Sequence, residues 1–386
     1  MILFLSDIPW EALYQRPQHL ASRLARGRRI LWVEPATLGR PVYLSPDEIV
    51  PGVFRITLPA LPLNARNRLV RSFARLLSRL APARSLLLLL QGHLLRRAMQ
   101  DVGGGTGGWS VLVENFQLIT LLEGVSASRV VFDYIDDAFG FTEYPPVVTA
   151  WWQAALRTAD VVAATSRTLA RRLEEGGAAS VRIIPNGVAY ARFAQAQTAP
   201  RPADLPPAGS PVIMYVGSLY PWIDFTLMAT LAREMPEARL VLLGHVHPSA
   251  RGDLDRLCGF SNVFFLGQRP HESIPAYLTH ADAGIVPFRR TRLTEGVNPV
   301  KLYEYSAAGL TTVATDFSDD TRLFSRFVLI AGTPAEFVAH CRTAIERRED
   351  PAIVASLRAF ARENDWDARA EAFADLLHPS RQDPIP

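Results

Sequence analysis

The sequence predicts an α/β protein of two tandem domains, each a doubly wound, mostly parallel sheet. Three observations carry that expectation. The chain has 386 residues, enough for two separate cores. Short apolar runs of strand length alternate with helical patterns in two successive series. Between the series lies a Pro- and Ala-rich stretch with little periodicity, Gln195-Ala-Gln-Thr-Ala-Pro-Arg-Pro-Ala-Asp-Leu-Pro-Pro-Ala-Gly209. Residues 1–194 are therefore expected to form an N-terminal Rossmann-like domain, 195–210 a linker, and 211–386 a C-terminal Rossmann-like domain. The terminal helices are placed to pack back on the N-terminal domain.

In the first series, Ile2 to Leu5 is a buried-strand pattern and Gln18 to Arg26 a helix with Leu20 and Leu24 on one face. Strands follow at Arg29 to Val33, Ser110 to Val113, Val130 to Tyr134 and Val161 to Thr165. Ser166 to Glu175 is helical, and Val181 to Ile184 closes the series. The second series runs through strands at Val212 to Val216, Leu240 to Leu243, Val263 to Leu266, Ala283 to Val286 and Thr311 to Ala314. Its helices are Phe225 to Glu234, Ile274 to Leu278, Val300 to Ala308, Ala335 to Arg347 and Ile353 to Leu377. Two such domains are expected to face each other across a cleft at their strand carboxyl ends, where sheets of this kind bind ligands.

Composition excludes several classes. Hydrophobic residues make up 48% and charged residues 20%, which is globular rather than disordered. A net charge of +3 gives no reason to expect a nucleic-acid partner. Cys258 and Cys341 are far apart and lack CxxC spacing, so two buried apolar thiols in a reducing compartment are expected, not a disulfide or metal site. The start, Met1-Ile-Leu-Phe-Leu-Ser-Asp7, lacks the basic region of a signal peptide. The leucine run 86–90 falls short of the roughly 20 apolar residues a membrane span needs. A cytoplasmic location is expected. One stretch qualifies it: Arg68, Arg71, Arg75 and Arg79 share a helix face opposite Leu69, Phe73, Leu76, Leu77 and Leu80. That pattern suits either a peripheral contact with an anionic membrane or a domain helix with a solvated basic face.

Lys301 is the only lysine; every other basic residue besides histidine is arginine. Lysine is a compact point charge suited to phosphate, where arginine is a planar fork. It lies in the segment Asn298-Pro-Val-Lys-Leu-Tyr-Glu-Tyr-Ser-Ala-Ala-Gly-Leu-Thr-Thr-Val313. Asn298-Pro299 is a helix entry, which puts Val300 and Lys301 in the first turn and Glu304 on the same face. Unpaired N–H groups and the positive helix end favour a diphosphate there. Glu304 can accept both hydrogen bonds of a ribose diol. Gly309 supplies the left-handed turn out of the helix.

This segment resembles the donor-binding helix of GT-B glycosyltransferases, of the form PxKxxEYxAxGxPVV. The preceding pieces match in order: Tyr215-Val-Gly-Ser218, Phe265-Leu-Gly-Gln268 and Ala281-Asp-Ala-Gly-Ile-Val-Pro-Phe288. Asp7-Ile-Pro-Trp10 and Gln15-Arg-Pro-Gln18 resemble bacterial cell-envelope and exopolysaccharide enzymes of the teichuronic-acid and xanthan glucuronosyltransferase kind. The resemblance covers nearly the whole chain, and is weaker over residues 35–110. It implies a GT-B fold whose C-terminal domain binds a nucleotide diphospho-sugar, a UDP-sugar, and whose N-terminal domain takes a saccharide, lipid-linked or other cell-envelope acceptor. Lys301 would contact the diphosphate, Glu304 the ribose, Gly217 and Ser218 the phosphate side, and Gln268-Arg269 the base; Asn298 and Val300 would border the donor. Many retaining members carry a second Glu eight positions before the ribose Glu. Here that position is Gly296, with Glu295 beside it.

The second chemical site is Asp133-Tyr-Ile-Asp-Asp137, at the carboxyl end of an N-terminal strand. An inverting transferase needs a general base for the acceptor hydroxyl. Alignment with the xanthan-type enzyme points to Asp136, with Asp137 as its rival and helix capping as the structural alternative for both. Arg16, before the first helix, is a candidate for an acceptor or donor phosphate, with a structural salt bridge as the competing role. Glu114 ends another strand and is a candidate acceptor contact. Tyr220-Pro-Trp222 and Asp224 are placed to border the sugar.

Three patterns are discounted. Gly103-Gly-Gly-Thr-Gly-Gly108 spells GxGxxG but precedes a strand and opens no helix, so a linker is expected. His245 and His247 lack a third metal ligand nearby. Asp253-Leu-Asp255 spells DxD on an expected surface helix. Neither a cofactor nor an essential metal is expected. The functional expectation is a metal-independent glycosyltransferase. A nucleotide-sugar epimerase of the same fold and a non-catalytic envelope-assembly partner are the alternatives.

Overall fold

In a computed structural model the described residues are 1–378, apart from 13, 38, 62–66, 79 and 142–145. The chain divides into two compact units. Unit 1 comprises 1–135, 141–184 and the residues from Arg369 onward; unit 2 comprises Asp136–Gly140 and Pro185–Ala368. The division after Ile184 falls ahead of the 195–210 linker expected from composition. Part of the stretch before that linker is helical, because Tyr190–Gln195 forms a short helix with Phe193 buried.

Unit 1 is built on eight strands: β1 (Ile2–Leu5), β2 (Ile30–Pro35), β3 (Asp47–Val50), β4 (Val53–Leu58), β5 (Gly107–Val113), β6 (Ser126–Tyr134), β7 (Val161–Ala164) and β8 (Val181–Ile183). Their order is β3-β4-β2-β1-β5-β6-β7-β8, parallel except for the β3–β4 edge pair. Its helices are α1 (Arg16–Leu24), α2 (Arg68–Leu77) and α3 (Ala81–Gly103), then, after the short α4 (Ala138–Phe141) of which Ala138–Gly140 counts with unit 2, α5 (Pro146–Thr158) and α6 (Arg167–Glu175). Ile2, Phe4, Leu112 and Val131 are buried in the central strands, as continuous apolar runs of a two-sided parallel sheet must be. Leu20 and Leu24 of α1 join them, together with Ala370, Phe373 and Leu377 from the end of the chain.

Unit 2 has six parallel strands in the order β11-β10-β9-β12-β13-β14: β9 (Val212–Val216), β10 (Arg239–Leu243), β11 (Val263–Gly267), β12 (Ala283–Val286), β13 (Thr312–Thr315) and β14 (Val328–Ala331). Helices α7 (Tyr190–Gln195), α8 (Phe225–Glu234), α9 (Arg251–Leu257), α10 (Ile274–Thr279), α11 (Arg292–Gly296), α12 (Val300–Ala308), α13 (Pro334–Arg347) and α14 (Pro351–Glu363) follow in chain order, and α15 (Trp366–Leu377) ends the described chain. The order reverses direction between β9 and β12, a switch point where parallel sheets of this kind open a ligand crevice. The helix expected from Ile353 to Leu377 is two, broken at Asn364-Asp365. Asp365 forms a bridge with Val188, and its carboxylate takes the Tyr190 N–H.

Candidate functional site

At the carboxyl end of β9 the chain turns through Gly217 at φ +134, and at the end of β10 through Gly244 at φ +152. Both values are costly for a side chain. Space adds a second constraint. A Cβ on Gly217 would lie 2.5 Å from Cε and Nζ of Lys301, and one on Gly244 would run into the Gly217 carbonyl. The two glycines thus let three segments meet: the β9 turn, the β10 turn and the first turn of α12. The turn is braced from behind, where Tyr215 donates to the Ser218 carbonyl at 2.9 Å and Val216 N–H donates to the Tyr305 hydroxyl at 2.9 Å.

Helix α12 starts as its sequence dictates, with Pro299 at the N-cap and Gly309 at the C-cap at φ +77. Its first-turn N–H groups, at Val300 and Lys301, point away from any intrahelical acceptor. Lys301 is half-buried, with Nζ 5.4 Å from the Tyr215 ring centre and 5.6 Å from that of Phe288. Among the described residues it makes no hydrogen bond or ion pair. Desolvation pulls its pKa down, and Glu304 opposes that only in part. Burial likewise raises the carboxyl of Glu304, against His271 and Lys301. An ammonium without a hydrogen-bonded carboxylate beside a helix N-terminus is arranged to receive an anion.

Asn298 has a different role from the donor contact expected of it. Its Oδ1 accepts from Asn186 N–H at 2.8 Å and from the Tyr303 hydroxyl at 3.1 Å, and its carbonyl accepts from the Asn186 side chain at 2.7 Å. It braces the helix entry. Arg269 also turns from the expected site, because Asp204 and the Tyr277 hydroxyl hold its guanidinium. Gln268 does line a cavity of about 570 Å³, with Gly244, His245, Val246, Pro248, Arg251 and Phe265. That volume suits a nucleoside. Val246, Pro248 and Arg251 were not expected there. The legible signal was Gly244 directly after the apolar strand Leu240–Leu243.

Beside this cavity Tyr220 stacks on Trp222 at 4.2 Å and on His247 at 5.0 Å. Asp224 caps α8 by accepting from Leu227 N–H. Glu295 accepts from Arg290 at 2.9 Å on an exposed flank. The DxD pair lies on α9, where Asp253 pairs with Arg256. The glycine-rich 103–108 stretch ends α3 through Gly104 at φ +71 and enters β5, so it is a cap and strand entry.

In unit 1, the expected phosphate ligand Arg16 gives way to a buried ion pair. Its Nε and Nη2 hold both oxygens of Asp133 at 2.7 and 3.0 Å, and Nη2 also reaches the Ile184 carbonyl at 3.0 Å. Phe373 covers the guanidinium, its ring centre at 5.2 Å. With the side chains about 2% and 0% exposed, no donor is presented to a ligand. Glu114 follows β5, next to Asp133 in the sheet, and is buried with neither carboxylate oxygen hydrogen-bonded. Burial, then the Asp133 charge, pushes its pKa well above the ordinary carboxylate range.

The Asp136–Gly140 segment counts with unit 2. Asp137 is buried, accepting from Arg292 at 2.8 Å and from Phe139 N–H at 3.1 Å, an ion pair and cap together. Gly140 packs so closely on Leu293 that a Cβ there would touch its backbone at 2.9 Å. Asp136 is half-buried in the same loop.

Two parallel α/β units, with a turn of paired glycines against a lysine-bearing helix start, define the GT-B class. Residues 210–347, within unit 2, match the family model described as Glycosyl transferases group 1. Over 218 residues the chain is 25% identical to a Bacillus subtilis strain 168 protein named as a teichuronic acid biosynthesis glycosyltransferase. That match covers 55% of this chain and 55% of the relative, about half of its length. Among solved structures, the fold is similar to sucrose-phosphate synthase from Thermosynechococcus elongatus, with TM-score 0.71, 19% identity and 97% of each chain covered. It is also similar to Anabaena Alr3699/HepE in complex with UDP and glucose, with TM-score 0.68, 17% identity, and 97% of this chain and 98% of that one covered.

Proposed function

We propose that this chain is a glycosyltransferase that moves a sugar from a UDP-sugar to a saccharide or lipid-linked acceptor of the cell envelope, without a metal ion. The observation that carries the reading is Lys301: a desolvated ammonium that makes no ion pair among the described residues, set at the start of α12 against the Gly217 and Gly244 turns. In this reading Lys301 and the free N–H groups of α12 hold the diphosphate. They stabilise the charge that develops on it as the bond to the sugar breaks, the compensation a metal would otherwise give. Glu304 accepts from the ribose diol. The cavity along His245, Phe265 and Gln268 takes the base. The acceptor oxygen forms the new bond to the anomeric carbon, UDP leaves with the electron pair of the old one, and Asp136 takes the acceptor proton. Asp137 keeps the Asp136 loop in place through Arg292. The similarity to a teichuronic acid protein supports a cell-envelope acceptor, and the UDP and glucose of the Anabaena structure support the donor class.

Isothermal titration with UDP, GDP, ADP and dTDP tests the donor site. UDP is expected to bind selectively, and Lys301→Ala to weaken it by about 1.5–3 kcal/mol, the cost of a charge-assisted contact. The same titration in the presence of a chelator is expected to give the same affinity. Equal affinity of the variant, or no binding of any nucleotide, ends the reading. Free epimerised UDP-sugar formed without acceptor would assign the site to an epimerase instead.

A further inference from the structure

The described residues include twelve strongly exposed large hydrophobic side chains, and eight of them lie on α2 and the start of α3: Leu69, Phe73, Leu76, Leu80, Leu86, Leu88, Leu89 and Leu90. Leu69 is 80%, Leu86 70% and Leu89 68% exposed. The helix geometry explains how they come to face outward. On α2, Leu69, Phe73 and Leu76 recur at intervals of four and three, so they form one ridge. The buried side of that turn is made by small residues, Ala74 and Ser78. In α3 the second half is the anchored part, through buried Gln91, Leu95, Ala98, Met99 and Val102, while the leucine-rich first half stands clear. An apolar surface this concentrated calls for a covering layer.

The charge around it selects that layer. From Arg66 to Arg97 the sequence has eight arginines and no acidic residue. Arg68 is exposed at the start of the ridge. A protein partner would meet a patterned surface of both signs and would be matched by one. A single-sign arginine span around leucines matches a surface that is apolar within and negative throughout its rim, which is a bilayer with anionic headgroups. No helix among the described residues is long and apolar enough to cross such a bilayer, so contact along its face is the mode left to these two helices. We propose that α2 and the first half of α3 dock this chain on an anionic lipid membrane, with the leucine ridge at the headgroup–acyl boundary and the arginines on the headgroups. This goes beyond glycosyl transfer and does not rest on it, since membrane binding is read without donor or acceptor.

The test is flotation of the full chain with vesicles of phosphatidylglycerol and phosphatidylcholine in equal parts, and with phosphatidylcholine alone. The parent is expected to float with the mixed vesicles and at least about tenfold less with phosphatidylcholine, with binding falling as salt rises. Combining Leu69→Ser, Phe73→Ser and Leu89→Ser is expected to weaken binding by at least about tenfold, because burial of three large apolar groups is lost. Arg68→Gln is expected to weaken it about fivefold, the factor for one arginine at an anionic surface. The circular-dichroism melt should stay as in the parent, since these side chains are exposed; if the triple variant melts lower, Leu86→Ser and Arg68→Gln singly carry the comparison. A parent that does not float with the mixed vesicles, or variants that float as well as it does, would overturn the proposal. So would a lipid-free dimer that the triple variant converts to a monomer, which would give the ridge to a second copy.

Discussion

Lys301 and Glu114 are ionisable groups that burial desolvates and that have no hydrogen-bonded partner among the described residues. For Lys301 the proposed nucleotide supplies the missing charge. The burial of Glu114 has a measurable consequence for stability. Its folded pKa lies above the unfolded value of 4.5, because burial and the Asp133 charge both disfavour the carboxylate. The folded state therefore keeps the proton at a pH where the unfolded chain has released it. Stability is unaffected below the unfolded pKa and declines as pH rises toward the folded one. Glu114→Gln keeps the shape and removes the titration. It is expected to leave the melting temperature unchanged near about pH 4 and to raise it near about pH 8. An equal shift at both pH values would mean that Glu114 ionises normally. At this scale the place of Lys301 in the first turn of α12 was legible, because Asn298-Pro299 marks the helix entry. For Arg16 the salt-bridge alternative is the one observed, and its partner was not legible because Asp133 lies 117 residues away in sequence.

Among the elements, α12 does most to place the site, and a single side chain holds its entry. Asn298 satisfies the Asn186 N–H, the Asn186 amide and the Tyr303 hydroxyl within a buried pocket. Asn298→Ala removes Oδ1 and with it two buried hydrogen bonds, which costs about 1–3 kcal/mol. Chemical denaturation is expected to show that loss, while UDP titration shows a smaller change than Lys301→Ala. The opposite ranking would return Asn298 to the donor site. The alternation of apolar strand and helix was readable over most of the chain because fully buried parallel strands are unbroken apolar runs. The edge pair β3 and β4 was missed: β3 begins with Asp47-Glu48 and is antiparallel, so it lacks that signature. The amphipathic spacing of α2 was also readable. Which side faces solvent was not, since a large apolar face is ordinarily turned inward, and here Ala74 and Ser78 take that place.

For the whole molecule, sequence order and structural unit part company twice. The loop Asp136–Gly140 leaves the β6 strand to count with unit 2, and the residues from Arg369 onward count with unit 1. Composition could not mark either crossing, since neither has the Pro-rich character that marks a linker. The second crossing has an energetic reason. Phe373 is fully buried in the same cluster as Ile2, Phe4 and Leu20, and its ring lies against the Arg16 guanidinium. The end of the chain thus completes the core of unit 1, while Val212, Met214, Leu302 and Tyr305 belong to the separate core of unit 2. Phe373→Ala removes a large buried side chain and uncovers a buried ion pair, an expected cost of about 3–5 kcal/mol. That loss belongs to unit 1, whereas the proposed nucleotide site draws only on unit 2 residues. Scanning calorimetry with and without UDP separates the two. Nucleotide is expected to raise the transition of unit 2, by mass action on its folded form alone. The variant is expected to lower a transition that UDP does not move, and to bind UDP as the parent does. If Phe373→Ala instead lowers the UDP-sensitive transition, the two units unfold as one, and the last helix stabilises the donor site as well as the sheet it packs on.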